Sequence, residues 1–348
     1  GEIRTMPPSP DGVVTGLVFR GRGRFTMPIP DVREREQFAF RSGADAREQL
    51  DLPFTVLTLR SVEDLAALLR APLKSTMLEP SKEARASHQR WFRCARRDVD
   101  ARVAAGRLIP SDRYLIAEME TGEFGPLTWE FEPFRPEPVR LEFYRVTNDH
   151  PEVWVNLPGG GEQPPLIDIV HAELTADLKH HSGRKAHDLS QGSRYGDTRQ
   201  WPWTEFSTTI TFVPQTGGMR AVPLLLEPRA KVTAVRGADG QPLPFLRDQV
   251  GRRAVIIYNA MYDDSLVVLL DQPLAAGEET KLTVDYSIRT SNQVLGRDWY
   301  PRPADRFRDE HTARISVSHP KKVEIRASGR LESEKQDTKP ARTVWVMD

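Results

Sequence analysis

Three histidines and an aspartate share one short stretch of the chain: His180, His181, His187 and Asp188. Three imidazoles and a carboxylate are a donor set that zinc accepts. Adjacent histidines on a strand point to opposite faces, however, and the spacing matches no familiar ligand pattern. A polar loop over Lys179–Arg199 is the simpler reading. The second candidate set is aromatic. Trp201 and Trp203 flank Pro202, and Trp299 precedes Tyr300, each pair beside a turn. Such rings could line a sugar or peptide groove, or an interface with another chain. They could equally plug the ends of stacked sheets, which is the commoner use. Cys94, the one cysteine, excludes an internal disulfide. Its neighbours Arg93, Arg96 and Arg97 could lower a thiol's pKa, but a half-buried spectator is the plainer reading. Spacing alone singles out no Ser–His–Asp or Cys–His arrangement.

The elements that must carry these residues are read from hydrophobic period. In the N-terminal half, Val14, Leu17, Phe19 and Phe25 interleave with Arg20, Arg22 and Arg24, which predicts strands with one basic face. Gly21-Arg-Gly23 is a fragment of a dinucleotide-binding pattern, but it lies inside a strand, where a bulge or bend explains it better. Phe54–Arg60 predicts another strand, and Ser61 then reads as a helix N-cap with Asp64 three residues on. Leu65, Leu68 and Leu69 give that short helix its buried stripe. A longer helix is expected from Ser81 to about Ala105, with Phe92, Ala95, Val99 and Val103 facing inward and Gly106 ending it. Its other faces carry Lys82, Arg85, Arg90, Arg93, Arg96, Arg97 and Arg102. Such a face could bind nucleic acid or acidic lipid; the plainer reading is a solvated row, or partners for the acidic strands that follow, which hold Glu118, Glu120, Glu130, Glu132 and Glu142. Tyr114–Glu120, Leu127–Phe131 and Val139–Val146 predict a meander.

Asn156–Pro165 combines glycines with prolines and reads as a linker. The expected division is therefore a β-rich α+β leader, residues 1–160, and a second domain, residues 166–348. The second domain is strand after strand. Val170, Ala172, Leu174, Ala176 and Leu178 are expected on one face of the first. Phe206, Thr208, Ile210 and Phe212 share a face of the next. Leu224–Leu226, Lys231–Val235, Ala254–Tyr258, a hairpin at Ser265–Ser287, Ala313–Val317, Val323–Ala327 and Thr343–Met347 follow. About nine strands without a long helix predict an antiparallel β-sandwich or saddle of stacked sheets. The fold class is mainly β.

Composition removes some functions. The chain has 348 residues, with 49 basic and 49 acidic side chains. A balanced charge gives no global argument for nucleic acid or an anionic surface. No apolar run approaches the roughly 18 residues that would predict a membrane-spanning helix. The first residues, GEIRTMPPSPDG, lack an initiator Met and any signal-peptide pattern, and a removed export signal is one reading of that.

The order of several segments resembles the N-terminal domain of the M1 family of zinc aminopeptidases. The matching pieces are His171–Leu178 (HAELTADL), Phe206–Phe212 (FSTTITF), Ala234–Phe245 (AVRGADGQPLPF) and Ser265–Ser287 (SLVVLLDQPLAAGEETKLTVDYS). Leu295–Pro301 (LGRDWYP) and His311–Gly329 (HTARISVSHPKKVEIRASG) extend the match. The first 165 residues are similar to the β-rich leader of some secreted bacterial M1-like proteins. The resemblance implies a saddle-like β-sandwich that packs on a catalytic domain and forms one wall of a peptide site. M1 catalysis uses His-Glu-x-x-His on a helix, with zinc held by the two histidines and a later Glu. No histidine here is followed directly by Glu, and Gly218–Met219 is followed by Arg220 where the family's substrate strand reads Gly-x-Met-Glu-Asn. Arg302–Glu310 is short where the family places a substrate-anchoring carboxylate or amide, so no residue takes that role. The implied reading is a non-catalytic region with no catalytic residue, cofactor or metal of its own, zinc belonging to a catalytic domain outside these residues. The implied partners are that domain or another protein chain, and a peptide. The implied location is periplasmic, envelope-associated or secreted. The alternative is a stand-alone binding or structural subunit of a larger envelope assembly that keeps the saddle without peptidase activity.

Overall fold

The computed structural model describes residues 1–42, 45–70, 99–110, 112–133, 139–144, 151–156, 166–178, 203–227, 230–247, 265–289, 299–303, 311–336 and 340–348. The expected strand Ala254–Tyr258, the helix from Ser81 to Asp98 with its arginines and Cys94, and most of the expected linker lie outside them. The chain divides into two compact units, Gly1–Pro164 and Pro165–Asp348. Both are built mainly of β-sheet.

The described strands of the N-terminal unit form one seven-stranded sheet whose spatial order is its chain order: β1 (Glu2–Thr5), β2 (Gly16–Pro28), β3 (Gln49–Ser61), β4 (Leu115–Thr121), β5 (Gly125–Phe131), β6 (Val139–Tyr144) and β7 (Pro151–Asn156). Every junction is antiparallel. Alternation places Met27, Leu50, Leu52, Met119, Leu127 and Leu141 in one apolar core. Helix α1 (Val32–Ser42) packs Phe38 into that core. The Asp31 carboxylate starts it, accepting from the backbone N–H groups of Arg33 at 2.7 Å and Glu34 at 3.2 Å. This helix was not anticipated, although Asp31-x-x-Glu34 after Pro30 is a capping pattern.

The arginines of β2 do face outward, and Arg24 pairs with Asp51 at 2.9 Å. The register of β2 against β3 shifts between Arg20 and Gly23, so the Gly-Arg-Gly stretch is a bulge as expected. Its glycines face the core, where the rings of Phe19 and Phe54 meet edge to face at 6.1 Å. A Cβ on Gly23 would strike the Phe54 ring, and one on Gly21 would strike Phe19. The glycines are bare because two phenylalanines lie across them.

Two expectations in this unit move. Ser61 is not a helix cap: it is still paired in β3, and its hydroxyl accepts from the N–H of Glu63. Asp64 caps α2 (Leu65–Arg70), accepting from the N–H groups of Ala66 and Val14, both at 3.1 Å. The β3 ladder outlasts the apolar pattern, so the cap comes three residues later. In α2, Leu65 and Ala66 are buried, while the side chains of Leu68 and Leu69 lie outside those described. Helix α3 (Val99–Gly106) is the described end of the expected long helix and buries Val103 against Tyr114 and Ile116. Of the predicted basic row, Arg102 pairs with one of the expected acidic residues, Glu132 just past β5, at 3.1 Å, and also with Asp112, ahead of β4, at 2.7 Å. Gly106 does more than end the helix: a Cβ there would strike Asp112, Arg102 and Val62, so its bareness admits the Arg102–Asp112 pair.

Among the described residues, the C-terminal unit has two sheets. The larger runs β11 (Lys231–Arg236), β14 (Thr280–Arg289), β9 (Trp203–Pro214), β8 (Ile167–Asp177), β16 (Thr312–His319), β18 (Ala341–Met347) and β17 (Arg330–Lys335). The smaller runs β12 (Phe245–Arg247), β13 (Ser265–Leu269), β10 (Ala221–Leu225) and β15 (Arg302–Pro303). All junctions are antiparallel except β8 with β16, which run parallel.

The stretch Ser265–Ser287 was expected to form a hairpin and does not. Its two strands, β13 and β14, belong to different sheets. Each pairs instead with a strand from Trp203–Leu225: β14 with β9, and β13 with β10. One two-stranded ribbon thus turns a corner from the larger sheet into the smaller. The corner is fastened by backbone bonds from Gly218 N–H to Leu274 C=O, Leu274 N–H to Met219 C=O, Leu270 N–H to Arg220 C=O and Gly277 N–H to Pro214 C=O. Gly218 (φ 82°) and Gly277 (φ 77°) supply the left-handed backbone that so sharp a turn needs.

The expected face of β8 is also revised. A bulge between Ile169 and His171 turns Val170 out to solvent, while Ile167 and Ile169 before it, and Ala172, Leu174 and Ala176 after it, point inward. Leu178, past the strand's end, is half-buried. The faces expected for Phe206–Phe212 and Ala313–Val317 hold. Val323–Ala327 is not a strand. The last edge strand is β17, whose charged, exposed sequence RLESEK hides it from an apolar-pattern reading. Entry to β17 is through Gly329 (φ 92°), whose added Cβ would collide with the Val346 carbonyl and Met347. Gly329→Ala is therefore expected to detach β17, at about 1–3 kcal/mol. Limited proteolysis should then cut within residues 330–336 several-fold faster than in the parent; unchanged cleavage would refute this.

Candidate functional site

At one end of the larger C-terminal sheet, alternation sends Phe206 of β9 and Tyr286 of β14 to the inner face, and the register makes them cross-strand partners. Their rings stack 5.2 Å apart at 12°. Trp299 tilts onto Phe206 at 5.7 Å, Tyr300 meets Trp299 edge-on at 5.2 Å, and His311 meets Tyr300 at 6.0 Å. These contacts suit the ring quadrupoles, positive edge to negative face. The Tyr286 hydroxyl donates to the Trp299 carbonyl at 2.8 Å and takes a hydrogen bond from the buried Thr208 hydroxyl at 3.1 Å. The Tyr300 hydroxyl and the His311 Nε2 lie 3.4 Å apart. The Phe206–Tyr286 pair is buried, whereas Trp299, Tyr300 and His311 are half-buried. A buried anchor thus holds a half-exposed aromatic rim.

Of the four aromatic residues picked out from the sequence, Trp299 and Tyr300 are brought together here. Trp203 is not. It lies three residues before Phe206 on β9, hence on the opposite face, 40% exposed, with the Arg289 guanidinium 4.9 Å from its ring centroid. Trp201 lies outside the described residues. So do His180, His181 and His187, the zinc candidates. The centre of the cluster, Phe206 and Tyr286, and its rim residue His311 were not picked out. Alternation shows which face a residue takes, but not its cross-strand neighbour.

The other described histidines join strands. The His171 Nδ1 lies 2.7 Å from the Thr312 hydroxyl, linking β8 to β16. His319 is fully buried, with the Pro320 carbonyl 3.1 Å from Nδ1 and the Thr343 hydroxyl 2.8 Å from Nε2. Among the described residues, no group of three or more His, Cys, Asp or Glu is placed to hold a metal ion. Nor is any described helix long and apolar enough to cross a membrane.

Burial pushes the Tyr286 phenol above its ordinary pKa; the Thr208 bond opposes the shift and the charge of Tyr300 adds to it. A raised value means that the folded state holds the neutral phenol. The resulting stability is whole below the unfolded value, about 10, and is lost as pH rises past it. The melting temperature of the parent should therefore fall more steeply above about pH 10 than that of Tyr286→Phe. Parallel curves would show that Tyr286 plays no part in alkaline unfolding.

No protein-family model matches the chain, and no curated protein matches it. Solved structures to which it is similar include the M1 zinc metallopeptidase of Deinococcus radiodurans, at 18% identity and a TM-score of 0.36, over 53% of this chain and 39% of that one. A mutant of that peptidase bound to a Tyr-Ser-Ala substrate gives 17% identity and 0.36, over 52% and 39%. A two-domain M1 zinc metallopeptidase mutant bound to L-tryptophan gives 18% and 0.37, over 53% and 40%. The chain spans about two fifths of the length of these proteins.

Proposed function

We propose that this chain is the non-catalytic, β-rich N-terminal region of an M1-like zinc metallopeptidase. Its C-terminal unit, residues 166–348, packs on a catalytic domain and forms one wall of the peptide site. Residues 1–160 form a separate leader domain. The observation that carries the reading is the contiguity of the segments that resemble the family. His171–Leu178, Phe206–Phe212, the start of Ala234–Phe245, the second half of Ser265–Ser287 and the start of His311–Gly329 fall on β8, β9, β11, β14 and β16. These are five consecutive strands of one sheet, in the order β11-β14-β9-β8-β16. Segments scattered over the sequence thus assemble as one surface. On this reading the protein works outside the cytoplasm, in the periplasm or envelope or as a secreted protein. Zinc belongs to the catalytic domain, and Trp299 and Tyr300 face the peptide or the neighbouring domain.

Two measurements test it. Residues 1–348 should carry no stoichiometric zinc by elemental analysis and should release no amino acid from aminopeptidase substrates. Zinc at one equivalent, or turnover abolished by a chelator, would overturn the proposal. The coding frame read past Asp348 should encode His-Glu-x-x-His. A stop codon there would instead favour a stand-alone subunit of an envelope assembly.

A further inference from the structure

We draw no further inference here: the strongest candidate, the solvent-facing patch of the larger C-terminal sheet where Trp203 lies beside Arg289, carries nothing because nothing in the structure shows what covers it.

Discussion

Replacing Arg102 with Ala is expected to destabilise the N-terminal unit by about 3–5 kcal/mol, the range for removing one partner of a buried ion pair. The guanidinium sits between two carboxylates. Its Nη1 and Nη2 donate to Asp112 at 2.7 and 3.3 Å, and its Nε donates to Glu132 at 3.1 Å. The Asp112 side chain is wholly shielded from solvent. The Arg102 guanidinium also lies 4.3 Å from the Tyr114 ring centroid, and the Tyr114 hydroxyl donates to Glu130 at 2.9 Å. Burial alone would lower the Arg102 pKa, but the charges of Asp112 and Glu132 outweigh it and hold the group above its ordinary value. Truncation leaves two carboxylates close together in a dry site with no cation between them. Arg102→Lys keeps the charge but loses the two-pronged bond, and should fall between parent and alanine. Pairing Arg102→Met with Asp112→Asn should recover part of the loss, because one of the two orphaned charges, the more deeply buried one, goes too. Urea unfolding followed by tryptophan fluorescence reads all of these. A shift under about 0.5 kcal/mol for Arg102→Ala, the size of an exposed pair's contribution, would mean the network is ornamental.

Tyr286→Ala should be comparably severe for the C-terminal unit, about 3–5 kcal/mol by the measure of large aromatic truncations in cores. It opens a cavity between Phe206 and Thr208 and releases the Trp299 carbonyl. Tyr286→Phe separates packing from hydrogen bonding. It keeps the stack on Phe206 but strands the fully buried Thr208 hydroxyl, at about 1–3 kcal/mol. Near-ultraviolet circular dichroism should report the loosening of Trp299 in the alanine variant and far less change in the phenylalanine one. Equal effects from the two variants would assign the whole contribution to the hydroxyl. No effect from either would remove this cluster from the list of elements that order residues 299–303.

Much of the architecture was legible because strands with one buried face announce themselves. Leu282, Val284 and Tyr286 alternate with polar residues, and all three are buried as read. The same rule fails wherever the period breaks. A bulge costs one residue of phase, so Val170 was assigned to the wrong side. Charged edge strands have no apolar period at all, so β17 was missed. Pairing is harder than face, because the hydrophobic pattern that marks a strand does not name its partner. Adjacency in sequence made Ser265–Ser287 a hairpin, but the ribbon corner paired its first half with a strand 40 to 48 residues earlier and its second with one 68 to 86 residues earlier. The candidate site suffered most from this. Trp299 and Tyr300 were visible as a pair, yet the residues that fix them, Phe206 and Tyr286, come from two strands that only the register brings together. Trp203 shared a sequence motif with Trp201 but lies on the face turned away from Trp299.

The fastened corner between the two C-terminal sheets has a consequence for errors in assembly. Because β9 and β14 continue as β10 and β13, a single alignment of two strands sets which side chains both sheets bury. A slip by one residue would turn Phe206, Ile210, Leu282 and Val284 of the larger sheet, and Val222, Leu224, Leu266 and Val268 of the smaller, away from the faces on which they are buried. The four backbone bonds at the bend would break with them. Misalignment is therefore punished twice over, which lets a pairing closed across 78 residues of chain settle on one solution.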